Sequence, residues 1–377
     1  VVHVTDTITK HVRPSLQQIK PYIPGKPIAD VQRELGLADV IKLASNENPV
    51  GPSPRAQAAI QAALADLHRY PDGGQLELKK ELATYHGVSE DMLLIGNGSD
   101  EVISFFCATF VEPGDEIVVP TPSFSEYTFA STVMAGKTVE VPLREGFEYD
   151  LNDFADAITE RTRIVFLCSP NNPTGTYIRQ ADLESFLQRI PADVLVVIDE
   201  AYNEYVEAPD YAQGLDLLKK GHNVAVMRTF SKLFALAALR IGYTIAKPEI
   251  VSFVNRVREP FNVNHLAQVA AIAALHDEEH IQLSRRVNSE GKRALYAGFD
   301  RLGLRYIPTE TNFVLVDTGV DSKEVFQSLL RKGVIIRDGA FFGLPTWIRV
   351  SIGLPEENER FLQALETTLH RLRTTAR

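Results

Sequence analysis

Cysteine is scarce in this chain: Cys107 and Cys168 are its two thiols among 377 residues, and no Cys-x-x-Cys spacing occurs. That excludes a disulfide scaffold and a thiolate metal site, and it fits a reducing compartment. Long hydrophobic runs are missing as well. No stretch of about 18 apolar residues is there to span a bilayer. The opening VVHVTDTITKHVRPSL lacks the apolar core of a signal peptide. Positive charge is not in excess either, the formal net charge being -10. Without a basic run or aromatic–basic interleaving, nucleic acid and anionic membranes have no electrostatic support as partners. Internal repeats and low-complexity tracts are also wanting. A soluble, cytoplasmic globular protein is the expectation, and 45% hydrophobic residues suffice for a large core or two linked domains.

What the chain does have is alternation. The short apolar runs LLI (93–95), EIVVP (116–120), KTVEVP (137–142), RIVFLC (163–168), VLVVID (194–199) and VAVM (224–227) are separated by helical patterns. Continuous β-branched runs between helices predict an α/β unit whose mostly parallel sheet is covered on both faces. Further on, TNFVLVD (311–317), VIIR (334–337) and WIRVSI (347–352) flank a helix at 322–332 closed by Gly333. A last helix carries Leu362, Leu365, Leu369 and Leu372 on one face. This part reads as a smaller α+β unit. Residues 46–262 are expected to form the large domain, and 1–45 with 263–377 the small one.

Ligands of open α/β sheets bind at the carboxyl ends of the strands, so the residues that follow each run carry the functional reading. After LLI comes GNGSDE (96–101), whose glycines and helix start offer backbone N–H groups to a phosphate; an ordinary helix cap explains the same residues. After RIVFLC comes SPNNPTG (169–175), a turn that leaves the Asn172 amide at a strand end. After VLVVI comes DEAYNEY, where Asp199 directly ends an apolar run and must find a partner if buried. That partner is either an ordinary cation or a protonated ring nitrogen. After VAVM comes TFSKLFALAALRIGY, with Lys232 among apolar residues and Arg240 eight positions on. A snorkelling stem accounts for such a lysine; so does a desolvated amine poised to condense with a carbonyl.

Taken together, these strand ends supply an amine, a buried carboxylate, an amide donor and an anion cup. Pyridoxal phosphate needs all of them: a lysine for its aldehyde, a carboxylate for its ring nitrogen, donors for its phenolic oxygen, and N–H groups with an arginine for its phosphate. Phe124 in TPSFSEY offers a ring to stack on.

The spans SPNNPTG, DEAYNEY and TFSKLFALAALRIGY resemble the class I/II aminotransferases of fold type I. PYIPGKP (21–27), LASNENPVGPSP (43–54), RYPDG (69–73) and REPFNVN (258–264) are similar to the histidinol-phosphate branch of that family. The resemblance implies a seven-stranded, mostly parallel sheet between helices, plus the smaller α+β domain. It implies that Lys232 bonds the cofactor and later carries a proton, that Asp199 pairs the ring nitrogen, and that Asn172 and Tyr202 donate to the phenolic oxygen. Ser99 and Asp100 through their backbone, Thr229, Ser231 and Arg240 would hold the phosphate. Tyr70 resembles a tyrosine that reaches the neighbouring subunit's phosphate, which implies a homodimer with shared sites. Phe124 departs from the tyrosine frequent at the stacking position and so lacks its hydroxyl.

In the small unit, strand alternation puts Ile348, Val350 and Ile352 on one face and Arg349 on the other. The resemblance gives Arg349 a substrate anion, with Arg337 as a second contact; a solvated arginine is the alternative for Arg337. It also counts Tyr22 and Asn48 among the substrate contacts. The expected activity is amino transfer from histidinol phosphate to 2-oxoglutarate, with an aromatic amino-acid aminotransferase as the nearest alternative. Two readings come from other classes. One is a non-catalytic cofactor-binding regulator. The other is a metal hydrolase built on HDEEH (276–280), which fits H-x-x-E-H.

Overall fold

The computed structural model describes residues 9–19 and 27–375. After the two-residue strand β1 (Ile41–Lys42) come β2 (Leu93–Gly96), β3 (Glu116–Thr121), β4 (Lys137–Pro142), β5 (Thr162–Cys168), β6 (Leu195–Asp199), β7 (Val224–Thr229) and β8 (Gly242–Ile245). Strands β2 to β8 form one seven-stranded sheet in the order β2-β8-β7-β6-β5-β3-β4. Strands β6 and β7 are buried along their whole length, which is why they read as unbroken apolar runs. Alternate residues supply the two faces. Val165, Leu167, Val196 and Ile198 enter one core; Ile164, Phe166, Leu195 and Val197 enter the other. Emptying the buried isoleucine, leucine or phenylalanine sites among these to alanine costs about 2–5 kcal/mol.

Strand β8 is the one member that the run-by-run reading does not anticipate. It lies antiparallel to both neighbours, β2 and β7. Its four residues, GYTI, open on a glycine and are divided by a polar threonine, so no continuous apolar run marks the strand.

The smaller unit holds β9 (Arg305–Ile307), β10 (Phe313–Asp317), β11 (Val334–Ile335), β12 (Arg337–Asp338) and β13 (Trp347–Ser351). Four of them make an antiparallel sheet in the order β12-β13-β10-β9. The run VIIR is divided: β11 leaves that sheet and pairs in parallel with β1. The helix Ser322–Arg331 is capped by Asp321, which accepts from Lys323 N and Glu324 N, and Gly333 follows at φ 73°. The helix Pro355–Thr375 buries Leu362, Leu365 and Leu369 with Ile348, Val350 and Ile352 in the small core. Val31, Val40 and Ala44 cluster with Leu330 and Ile335, so residues 31–44 pack on the small unit. The turn Pro14–Gln18 instead lies against the helix Glu126–Val133 of the large unit, with Arg13 donating to Val133 O.

The boundary expected at residue 262 shifts. The helix His265–Leu275 buries Ala267, Ala270, Ala271 and Ala274 in the large core. Small side chains let it lie close to its neighbours, so it belongs to the large unit. The crossing falls within the helix Glu278–Arg301, where Ile281 joins the large core and Leu295 and Phe299 the small one. Among the described residues no helix is long and apolar enough to cross a membrane.

Candidate active site

A cavity of about 240 Å³ opens where strands of the large sheet end and the small unit faces them. The large unit lines it with Ser99, Asp100, Phe124, Asn172, Asp199, Tyr202, Thr229, Ser231, Lys232 and Arg240, the small unit with Arg337 and Arg349. Twelve residues singled out from scattered stretches of sequence thus meet in one place.

Lys232 follows β7 on a turn whose Ser231 N donates to Thr229 Oγ1 at 3.0 Å. Its Nζ lies 3.5 Å from Ser45 O and 5.6 Å from the centre of the Tyr202 ring. Burial, helped by the charge of Arg349, holds its amine down at about 8. At pH 7 about a tenth is therefore the free base, far more than for an ordinary lysine, and able to act as a nucleophile.

Asp199 ends β6 and is 3% exposed. Its oxygens accept from the Tyr127 hydroxyl at 2.6 Å and from Ala201 N at 3.2 Å; neither donor is a cation. Burial pushes the carboxyl up to about 6, against the pull of those two donors. A buried carboxylate with no cation of its own beside a cavity is suited to a cationic ligand group.

The anion cup is built at the start of the helix Gly98–Phe110. Gly98 adopts φ +78°, and a Cβ there would fall 2.7 Å from Arg240 Nη2. A Cβ on Gly242 would lie 2.7 Å from Ser99 N. Both glycines keep backbone N–H groups bare beside a guanidinium, at the positive end of a helix. Arg240 itself lies 3.1 Å from the carboxylate of Asp100, so Asp100 contributes a side chain as well as its backbone.

Across the cavity, Arg349 donates from Nη1 to Asn172 Oδ1 at 2.5 Å and from Nη2 to Ala44 O at 2.7 Å. With Oδ1 so engaged, the Asn172 amide must present its NH₂ as a donor to a ligand. Tyr202 accepts from Asn46 Nδ2 at 2.9 Å, which leaves its own proton for another acceptor. Arg337 stacks on Phe341 at 4.1 Å. Phe124 meets Tyr127 edge-on at 5.7 Å and turns its ring to the cavity wall.

Two of the expected contacts lie elsewhere, and a third falls outside the described residues. Asn48 is corrected: its Nδ2 donates to Leu233 O and Ser284 Oγ, 2.7 and 2.9 Å away, so the amide braces the scaffold and does not line the cavity. The neighbouring Asn46 lines it instead. Tyr70 is 82% exposed and stacks on Phe261 at 4.8 Å, away from this chain's own cavity. Tyr22 lies outside the described residues. The histidines of HDEEH diverge: His276 pairs with Glu81 at 2.7 Å, His280 Nε2 meets Gly51 O at 2.8 Å, and Asp277 caps a helix through His280 N.

Several residues of the cavity wall, and Tyr127 buried behind Asp199, escaped the sequence reading. Tyr127 stands three residues after Phe124 in TPSFSEY, and Asn46 stands within LASNENPV; each was inside a quoted span with nothing to mark it. Phe341 and Phe342 line the cavity from the small unit. Cys168 lines it too, but burial pushes its thiol up to about 12, which makes it inert.

The comparisons agree with this geometry. Residues 38–365 match the family described as aminotransferase class I and II. A histidinol-phosphate aminotransferase of Moorella thermoacetica is 56% identical over 95% of this chain and 92% of its own length. Histidinol-phosphate aminotransferase 2 of Carboxydothermus hydrogenoformans is 48% identical over 95% and 99%. The crystal structure of histidinol-phosphate aminotransferase from Sinorhizobium meliloti in complex with pyridoxal-5'-phosphate superposes with a TM-score of 0.88 at 28% identity, covering 96% of this chain and 98% of that one. A sheet whose strand ends gather an amine, a carboxylate and an anion cup, and a family match running through both units, place this chain among the class I and II aminotransferases.

Proposed function

We propose that this aminotransferase binds pyridoxal phosphate and transfers the amino group of L-histidinol phosphate to 2-oxoglutarate, giving imidazole acetol phosphate and L-glutamate. The observation that carries the reading is the convergence of Lys232, Asp199 and Arg349 on one cavity. The names of the curated relatives support the choice of substrate.

The residues fit the cofactor. Lys232 Nζ would hold its aldehyde, Asp199 its ring nitrogen, Asn172 and Tyr202 its phenolic oxygen, and Phe124 one face of the ring. Ser99, Asp100, Thr229, Ser231 and Arg240 would hold its phosphate. When bound, the cofactor supplies an aldehyde that captures amines and a ring that accepts an electron pair from the substrate carbon.

The chain's own residues do the rest. Lys232 Nζ, once freed by an incoming amine, would be the base that carries the proton between the substrate Cα and the aldehyde carbon of the cofactor, C4′. Its depressed basicity keeps it competent near neutral pH. Asp199 keeps a positive charge at the far end of the ring site. Arg349 and Arg337 orient the substrate's anionic end, phosphate in one half-reaction and carboxylate in the other. Phe341 and Phe342 narrow the cleft above them and limit access of water.

A second copy of the chain would complete the site. Tyr70, with Leu67 and Leu76 exposed nearby in sequence, forms an apolar surface that a homodimer would cover, carrying Tyr70 to the neighbour's phosphate cup. Both cysteines are free and buried, in keeping with the cytoplasm.

The test is a comparison of kcat/KM for histidinol phosphate and phenylalanine with 2-oxoglutarate as acceptor. Histidinol phosphate should be preferred by at least about tenfold, since a site with buried charges discriminates against a substrate that leaves them unpaired. Equal or better use of phenylalanine overturns the substrate assignment in favour of an aromatic amino-acid aminotransferase.

A further inference from the structure

Tyr127 is the second residue of the helix Glu126–Val133 that follows β3 and is completely buried. Its ring stacks on Phe166 of β5 at 4.8 Å and 14°, so side-chain motion is blocked on that face. Its hydroxyl donates to Asp199 Oδ2 at 2.6 Å, while Oδ1 takes Ala201 N. Tyr127 is thus the side-chain donor to the carboxylate and the edge-on neighbour of Phe124. It couples the residue expected to pair the ring nitrogen with the residue expected to stack on the ring.

We propose that Tyr127 is a positioning residue: its hydroxyl fixes the Asp199 carboxylate, ionised and in one rotamer, to receive the ring nitrogen of the cofactor. The inference rests on the pyridoxal-phosphate reading above and deepens it.

The physical grounds are threefold. A buried carboxylate with a single backbone donor is under-solvated, and a charged hydrogen bond is the strongest available remedy. Burial and the charge of Asp199 hold the Tyr127 hydroxyl well above the ordinary tyrosine range, so it stays protonated and acts as a donor. The other titratable groups facing Asp199 are Cys168, Asp100, Lys232, Tyr149 and Tyr202. None of these five makes a hydrogen bond to its oxygens as Tyr127 does.

The experiment is an equilibrium titration of apoprotein with two probes, pyridoxal phosphate and its analogue with carbon in place of the ring nitrogen. Tyr127→Phe keeps the ring on Phe166 and removes the donor alone. It should weaken pyridoxal phosphate binding about ten- to a hundredfold, as expected for a lost bond to a charged group. Binding of the carbon analogue, which does not engage Asp199, should change by less than about twofold. Equal losses for both probes, or no loss for either, overturn the inference. The Asp199→Asn background gives a second measurement should the single variant prove too unstable to load. There the buried charge is gone, and adding Tyr127→Phe should cost less than about twofold; a full repeat of the loss overturns the inference. Wild-type protein that binds neither probe overturns the cofactor reading and this inference together, an outcome visible before any variant is made.

Discussion

Arg349 on β13 and Asn172 beyond β5 meet at 2.5 Å, one residue from each unit, so a single guanidinium joins the two walls of the cleft. Its second nitrogen is spent on Ala44 O. A lysine ammonium offers three rotatable donors but no rigid planar fork, so it would not hold this geometry.

Arg349→Lys should therefore lower kcat/KM about a hundredfold, the loss expected for a bidentate charged contact. The loss should appear for the amine and the oxo acid alike, because both present an anion to the same group. Steady-state kinetics with each substrate varied in turn provides the check. A defect confined to one substrate would mean that the anions use different arginines.

Lys232 titrates at about 8 for reasons of burial first and the charge of Arg349 second. Trapping of pyridoxal phosphate on the apoprotein by borohydride should rise with pH and reach half its limit near that value. Arg349→Ala should move the midpoint upward by removing a like charge. Lys232→Ala should leave no trapped label and no turnover. The sign of the stability effect is also set. The folded chain releases this proton near 8 and the unfolded chain near 10.5, so the unfolded state binds more protons between them. Apoprotein stability should rise with pH across that window, and Lys232→Ala should abolish this rise.

Asp199 carries the opposite sign. Its folded-state value of about 6 lies above the ordinary 3.8, so the folded state holds the proton more tightly. Stability is lost as pH rises through that interval, and above it the buried charge is a standing cost. Asp199→Asn should make the apoprotein more stable at pH 7.5, by about 1–3 kcal/mol, while weakening cofactor binding. Thermal melts of apo and loaded protein separate the two effects: the variant gains in the first and loses in the second.

Much of this site was legible because its chemistry sits at strand ends. Asp199, Asn172 and Lys232 each follow an apolar run that already fixes where the strand stops. Arg349 was legible from alternation, since Ile348, Val350 and Ile352 claim the core face of β13. Tyr127 and Asn46 were not, because their roles depend on hydrogen bonds to residues 72 and 156 positions away. Asn48 misled for a related reason: nothing local reveals that its amide is taken up by Leu233 and Ser284. The helix His265–Leu275 was assigned to the wrong unit because an alanine-rich apolar helix fits either core, and tertiary packing decides.

Glu200, next to Asp199, accepts from Arg228 Nε and Nη2 at 3.0 and 2.7 Å and from Gly214 N at 2.7 Å. The pair ties the ends of β6 and β7 together directly behind the cavity, and both side chains are buried. Burial pushes Glu200 upward and Arg228 pulls it back. A buried pair contributes little net stability over an apolar substitute, but removing one member strands the other charge. Arg228→Met should cost about 3–5 kcal/mol in urea unfolding of the apoprotein, and Glu200→Gln with Arg228→Met together should recover a large part of it. If the double variant were as unstable as the single, the cost would lie in the packing of the arginine stem or in Glu204, whose buried carboxylate stands 4.0 Å from Arg228 Nη1, and not in Glu200.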